Sequence, residues 1–390
     1  MGWFDSDDPD PPGTGGHAAP GCAVQPCPCV PIAAMDIVAL EYAHDHGLLT
    51  DYGKDFKSGG RRFSKPEWTP AHSYPVSYSM DQRVEVYLHV EVAPANACPE
   101  VGTIKGYLGD DVLFEVKDWT FRPGLNKIHA TALQALAHKI QIIDFTILWE
   151  VHGTSVKLGF FSDTTWNTIY VTYDTPYNDT GLDNEVTEKR LKWICGLTNG
   201  DTNGHDSLTK VHDLGGGFAL GADTPDPHWM IATGLRCECV DLAKFYMLSA
   251  EILGLRTGQV VYLYPKLAKG TKESSDPRDM EARAVKTSVP PHDENHLWHG
   301  GLVPNEDLML VDNNGGWNRY EACYKFTHPD KAGKMLTRYY AGGASIYNTK
   351  EDVMKAVCKQ TLWIFHRPKE HEPVKVCETP GPYPAEQWRA

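Results

Sequence analysis

The sequence predicts an α+β chain: an N-terminal antiparallel β-sandwich followed by an α+β domain. Three observations carry that prediction. Between Val76 and Tyr177 apolar residues recur with a period near two, most regularly from Val84 to Val92, and Gly, Pro, Asp and Asn mark the breaks. From Val240 to Leu253 the spacing turns helical, with apolar residues at Leu242, Ala243, Tyr246, Ala250 and Leu253. Beyond that helix, Gln259–Tyr264, His296–Val303 and Leu308–Asp312 read as strands. The expected organisation is a flexible segment with a short helix over 1–75, a sandwich-like domain over 76–178, an α+β domain over 179–366 and a tail over 367–390.

Composition narrows the function classes. The chain has 390 residues, 41% hydrophobic and 23% charged, ordinary for a protein that buries a core. Lys and Arg total 37 against 51 Asp and Glu, a net charge of −14. Such a surface repels phosphate backbones, which excludes nucleic acid as the main partner. The longest apolar run, Lys139 to Trp149, is broken by Asp144 and falls short of a membrane span. The start, Met-Gly-Trp-Phe-Asp-Ser-Asp-Asp, lacks the basic opening and apolar core of a secretory signal. The expected location is the cytoplasm, or export by a route that needs no cleaved signal.

The elements follow in order. Residues 1–31 are rich in Pro, Gly and Asp and read as a flexible lead-in. Cys22, Cys27 and Cys29 lie inside it. Their spacing suits a soft metal, but only His17 offers a fourth ligand, which favours free thiols. Ten cysteines are too few for a disulfide scaffold. Ile32 to His46 has an apolar pattern that predicts a helix, and Gly59 to Pro75 reads as a polar linker. In the sandwich region strands are expected near Val112–Val116, Lys139–Val151, Val156–Phe161 and Thr168–Tyr173. No catalytic constellation falls there, so packing or recognition is its expected role.

After Asn178 the character changes. Glu185–Leu197 predicts an amphipathic helix, and Leu214–Pro227 an irregular Gly-rich stretch. His205, His212 and His228 have no ligand spacing and read as loop residues. Gly215-Gly-Gly lacks the Gly-Lys-Ser/Thr of a phosphate loop. Lys266 to Asn295 is polar and too long for a turn, hence a flap or insertion. Trp317–Phe326, Lys334–Tyr340 and Thr361–Phe365 suit strands, Glu351–Cys358 suits a helix, and Arg367–Ala390 reads as a loose tail.

The chemistry centres on Cys239, at the start of the Val240–Leu253 helix. Helix N-termini present unpaired N–H groups and a positive dipole end, which favour thiolate over thiol. The neighbours Glu238 and Asp241 oppose this, but Asp241 lies about 200° around the helix and points away. Cys237-x-Cys239 has one intervening residue where a redox pair has two.

Cys239-Val-Asp241-Leu-Ala243 leads a helix ending in Leu253-Gly254-Leu255. A strand follows, then His296-Leu-Trp298, then Leu310-Val-Asp312. Over roughly Asn184 to Trp317 this series resembles the transglutaminase-like superfamily of papain-like cysteine enzymes. The resemblance implies a transglutaminase-like α+β fold and a Cys-His-Asp triad. Three positions depart from the family pattern: Cys237 replaces a Gly, Arg256-Thr-Gly258 replaces Pro-Ala-Arg, and Gly300 replaces a Glu. They bear on substrate subclass more than on the triad.

Two histidines compete for the base. His296 carries the His-x-Trp match. His299 faces Asp312 if Pro304–Asp307 is a four-residue hairpin loop, and His296 then needs a bulge to reach the site. The motif favours His296. The histidine takes the thiol proton, Asp312 orients the imidazole, and Cys239 forms a thioester with an acyl group. Water completes hydrolysis; an amine completes acyl transfer. The Cys239 N–H is the natural oxyanion donor, and Trp229 and Trp298 are candidate substrate contacts. No cofactor or metal is needed. The expected function is a cysteine enzyme acting on amide bonds of peptides or protein side chains, as peptidase, amidase or transglutaminase, with a possible amine co-substrate. The alternatives are a non-catalytic binding protein on the same scaffold, or an exported bacterial effector toxin using the same triad.

Overall fold

A computed structural model describes residues 29–50, 61–153, 161–177, 187–215, 239–265, 283–284, 321–341, 345–353, 363–364 and 376–380. The chain is mixed α+β and mostly sheet. Ten strands form one curled sheet: β1 (Ala34–Ala43), β2 (Trp68–Thr69), β3 (His72–Ser73), β4 (Val76–Ser79), β5 (Arg83–Ala93), β6 (Glu100–Leu108), β7 (Asp111–Phe121), β8 (Gly124–Ala135), β9 (Gln141–Gly153) and β10 (Phe161–Thr172). Their order is β3-β2-β1-β5-β8-β7-β6-β9-β10-β4.

The expected alternation is present. On β5, Val84, Val86, Leu88, Val90 and Val92 are buried, and the residues between them turn outward. β7 meets β8 at one residue pair, Phe114 with Ala132, so the sheet folds there. Trp149 stacks on Phe114 with ring centres 5.3 Å apart, and its Nε1 donates to Thr165 Oγ1 at 3.1 Å. Side chains close the seam where β1–β3 meet β10. The Ile37 N–H donates to Asp163 Oδ2 at 3.1 Å, Ser73 Oγ donates to the Trp166 carbonyl at 2.8 Å, and Tyr42 donates to Asn167.

Several expectations are corrected here. The helix predicted over Ile32–His46 is strand β1, paired antiparallel with β5. A register shift between Ile37 and Ala39 breaks the period of two, so burial falls at Met35, Ile37, Ala39, Leu40 and Tyr42. That irregular spacing imitates a helix. The polar linker over Gly59–Pro75 contains β2 and β3, and Trp68 is buried in the core. Cys29 is not a free thiol but forms a disulfide with Cys98. Cys22 and Cys27 lie outside the described residues.

Three helices are described: α1 (Glu188–Leu197), α2 (Gly204–Gly215) and α3 (Cys239–Ile252). α1 and α3 match expectation. α2 does not, because His205 and His212, read as loop residues, are buried on it. A five-stranded sheet completes this part, in the order β15-β14-β13-β11-β17. Its strands are β11 (Gly258–Pro265), β13 (Glu321–Pro329), β14 (Met335–Ala341), β15 (Ile346–Tyr347) and β17 (Val376–Pro380). β12 (Arg283–Ala284) pairs with β16 (Trp363–Ile364). β17 corrects the loose tail expected over Arg367–Ala390: it pairs antiparallel with β11, Leu263 opposite Glu378. The flap over Lys266–Asn295 lies outside the described residues apart from β12. Of the helix expected over Glu351–Cys358, residues 350–353 are helical and the rest lie outside.

One contiguous apolar cluster runs from the curled sheet, through Leu191, Ile194, Leu208, Phe245 and Tyr246 on the helices, to Tyr324, Phe326 and Tyr340. Among the described residues no helix is long and apolar enough to cross a membrane.

Candidate functional site

Cys239 is the first residue of α3, and α3 is a central helix. Almost every residue from Asp241 to Ile252 is buried, as expected of a helix covered on both sides. Trp193 of α1 meets Phe245 on one side, with ring centres 5.9 Å apart. On the other side Ala243 packs with Val260 and Tyr262 of β11 and Ala322 of β13, and Cys239, Val240 and Met247 border that cluster. The sequence therefore places the start of the helix against the face of the five-stranded sheet.

The far end of α3 is held by the curled sheet. The Tyr173 N–H donates to the Leu253 carbonyl at 3.0 Å, and the Tyr177 N–H to the Glu251 carbonyl at 3.1 Å. These bonds satisfy carbonyls that a helix C-terminus leaves open. Gly254 ends the helix at φ +80°, and the Leu255 N–H returns to the Ala250 carbonyl at 2.9 Å. Arg256 lies 4.5 Å over the Tyr177 ring and donates to the Thr175 carbonyl.

Three described cysteines stand outside the disulfide: Cys195, Cys239 and Cys323. Cys195 and Cys323 are buried, and burial pushes both thiols far up from their ordinary range. Cys239 is only partly buried. Of these three cysteines it alone is not fully buried and stands at a helix N-terminus, the setting that lowers a thiol pKa and frees a nucleophile. Asp241 is fully buried in the same first turn. A carboxylate there takes up part of the positive end of the dipole.

The remaining predicted site residues, His296, His299, Asp312, Trp229 and Trp298, lie outside the described residues, as do Cys237, Glu238 and His228. The structure does contain two features that the sequence reading missed. The first is Glu321, which precedes Cys323 by two residues and so shares its face of β13. It is buried, its Oε1 has no hydrogen-bond partner, and burial pushes its carboxyl up to about 8. The available signal was a carboxylate inside the strand pattern Glu-Ala-Cys-Tyr-Lys-Phe. Lys325 and Tyr339, also on this sheet, both bond Glu378 of β17, Tyr339 at 2.9 Å.

The second is the histidine contact between α2 and the β13–β14 hairpin. His205 Nε2 lies 3.1 Å from both the His328 and Leu336 carbonyls, and Nδ1 lies 3.1 Å from the Tyr340 hydroxyl. Two carbonyls at Nε2 require a proton there, so Nδ1 accepts from Tyr340 in the neutral ring. His212 Nε2 donates to the Ala341 carbonyl at 3.3 Å, and its ring lies against Tyr246 of α3. Burial lowers both imidazoles below their ordinary 6.5. These are packing histidines, not ligands. Among the described residues no group of three His, Cys, Asp or Glu is arranged to hold a metal ion.

No protein-family model matches the chain, and no curated protein matches it significantly.

Proposed function

We propose that the protein is a cysteine-nucleophile enzyme of the transglutaminase-like kind, acting on amide bonds of peptides or protein side chains through a thioester on Cys239. The observation that carries this reading is the placement of Cys239: a half-buried cysteine at the first residue of a buried helix that lies on an antiparallel sheet. The sequence supplies the partners, His296 or His299 as base and Asp312 as the group that orients it. The strand order β14-β13-β11 beneath the helix supports a papain-like domain. The curling of the ten-stranded sheet, in which β7 and β8 meet at the single pair Phe114 and Ala132, supports a sandwich-like recognition domain before it.

In the proposed reaction the imidazole removes the Cys239 proton and the thiolate attacks the amide carbonyl. The C–N bond then breaks, and the imidazolium protonates the departing amine. The Cys239 N–H stabilises the developing oxyanion. A second amine or water attacks the thioester and releases the thiolate. The acidic surface favours a cationic acyl acceptor such as a lysine side chain.

The test is incubation of the wild type and Cys239→Ala with a protein mixture and a labelled primary amine, read by mass spectrometry. Cleavage, deamidation or amine incorporation seen only with the wild type supports the reading. Identical spectra for both proteins overturn it. A specific observation also favours the exported form of this enzyme: disulfides persist in oxidising compartments, and Cys29 is bonded to Cys98.

A further inference from the structure

We propose that the outer face of β9 and β10 binds a neutral saccharide, with the Trp166 indole as stacking platform and Asp144 as hydroxyl acceptor.

Trp166 is 48% exposed, although the preceding and following residues, Thr165 and Asn167, are buried on the opposite face. It stands outward on a regular antiparallel ladder. Thr146 lies directly across from it, and Asp144 lies across from Thr168, the next outward residue on β10. Thr164, the previous outward residue, lies across from Leu148. On this face the indole is thus bordered across the ladder by hydroxyls, one carboxylate and Leu148.

This composition selects among ligand classes. The Thr and Asp border supplies no contiguous apolar patch of the kind that marks a protein-docking surface. Phosphate-bearing ligands meet Asp144 on a chain of charge −14. A pyranose ring fits both parts of the face. Its C–H side lies flat on an aromatic ring, where dispersion and weak C–H contacts act, and its rim hydroxyls seek acceptors and donors at the edge of the indole. Thr168 Oγ1 donates to Asp144 Oδ1 at 2.6 Å. That bond orients the carboxylate and leaves Oδ2 for a ligand hydroxyl.

The platform is also held in place. Trp68 meets Trp166 nearly at right angles, 83° with ring centres 5.5 Å apart, and Trp68 itself is buried. Ser73 Oγ bonds the Trp166 carbonyl from β3. A ring fixed on a paired strand loses little conformational freedom when a ligand stacks on it. The site lies on the curled sheet and does not depend on the reading of Cys239.

The experiment titrates the full chain with cellohexaose, xylohexaose, chitohexaose and mannohexaose by calorimetry and tryptophan fluorescence. At least one is expected to bind with Kd of about 1 mM or tighter. Trp166→Ala is expected to weaken that binding about tenfold or more. Asp144→Ala leaves the platform in place and is expected to weaken it severalfold, which keeps the test open if Trp166→Ala fails to fold. Cys239→Ala is expected to bind as the wild type does. The proposal is overturned if no probe binds at about 10 mM, or if Asp144→Ala and a folded Trp166→Ala both bind like the wild type. It is also overturned if sedimentation shows that Trp166→Ala converts a dimer to a monomer, which makes a second copy the occupant of this face.

Discussion

Gly254 is one of the points where the end of α3 meets the chain leaving β10. Its φ of +80° lies in the region that side chains disfavour, and a Cβ there meets the Asp174 carbonyl oxygen at 2.2 Å. Asp174 is backbone and cannot swing aside. Gly254→Ala is therefore expected to destabilise the fold by about 2 kcal/mol or more, measured by denaturant unfolding. Unchanged stability would mean that the end of α3 is not seated on the 173–177 segment. Glu321 gives a second expectation. Its carboxyl stays protonated in the fold to about pH 8, against an ordinary value of 4.5. A raised folded-state value contributes stability that is complete below 4.5 and is lost as pH rises through 8. Glu321→Gln keeps the shape without the proton, so it is expected to gain stability relative to wild type between pH 5 and pH 8. A difference that is flat across this range would contradict the buried placement.

At the scale of elements, α2 carries two buried histidines that make its packing sensitive to acid. His205 is held between two carbonyls and Tyr340, and burial lowers its imidazole below 6.5. A depressed value means the unfolded chain binds the extra proton first. The contribution is therefore complete above pH 6.5 and is lost as pH falls through the folded-state value. His212 acts in the same direction. Wild type is expected to lose stability below pH 6.5 more steeply than His205→Gln, as followed by thermal unfolding against pH. Parallel curves would contradict the assignment.

How far these elements were legible depends on periodicity. β5 and α3 follow a single clean period, so the sequence located them. β1 carries a bulge, and the extra residue shifted its pattern toward a helix. α2 was missed because its buried face is built from His205, Leu208, Val211 and His212, and polar histidines hide a helical stripe. β17 was missed because five residues among prolines and carboxylates carry no periodic signal; pairing with β11 supplies what local pattern does not.

At the scale of the whole molecule, one core joins the curled sheet to the helices and the second sheet. Helix α3 lies within that core, with its start on the second sheet and its end capped by the chain leaving β10. The position of Cys239 at a helix start was legible because helix periodicity is a local property. Glu321 was not, because burial of a carboxyl is decided by strands brought together from distant parts of the chain. The Trp166 platform was equally illegible, since its borders come from a neighbouring strand. The central claim is that Cys239 is a nucleophile. Its most direct test is brief treatment of the folded protein with a limiting thiol alkylator near pH 7, followed by peptide mapping across all ten cysteines. The account predicts rapid modification at Cys239, with Cys195 and Cys323 untouched until the chain unfolds. Labelling confined to Cys22 and Cys27, with Cys239 no faster than the buried thiols, would contradict it.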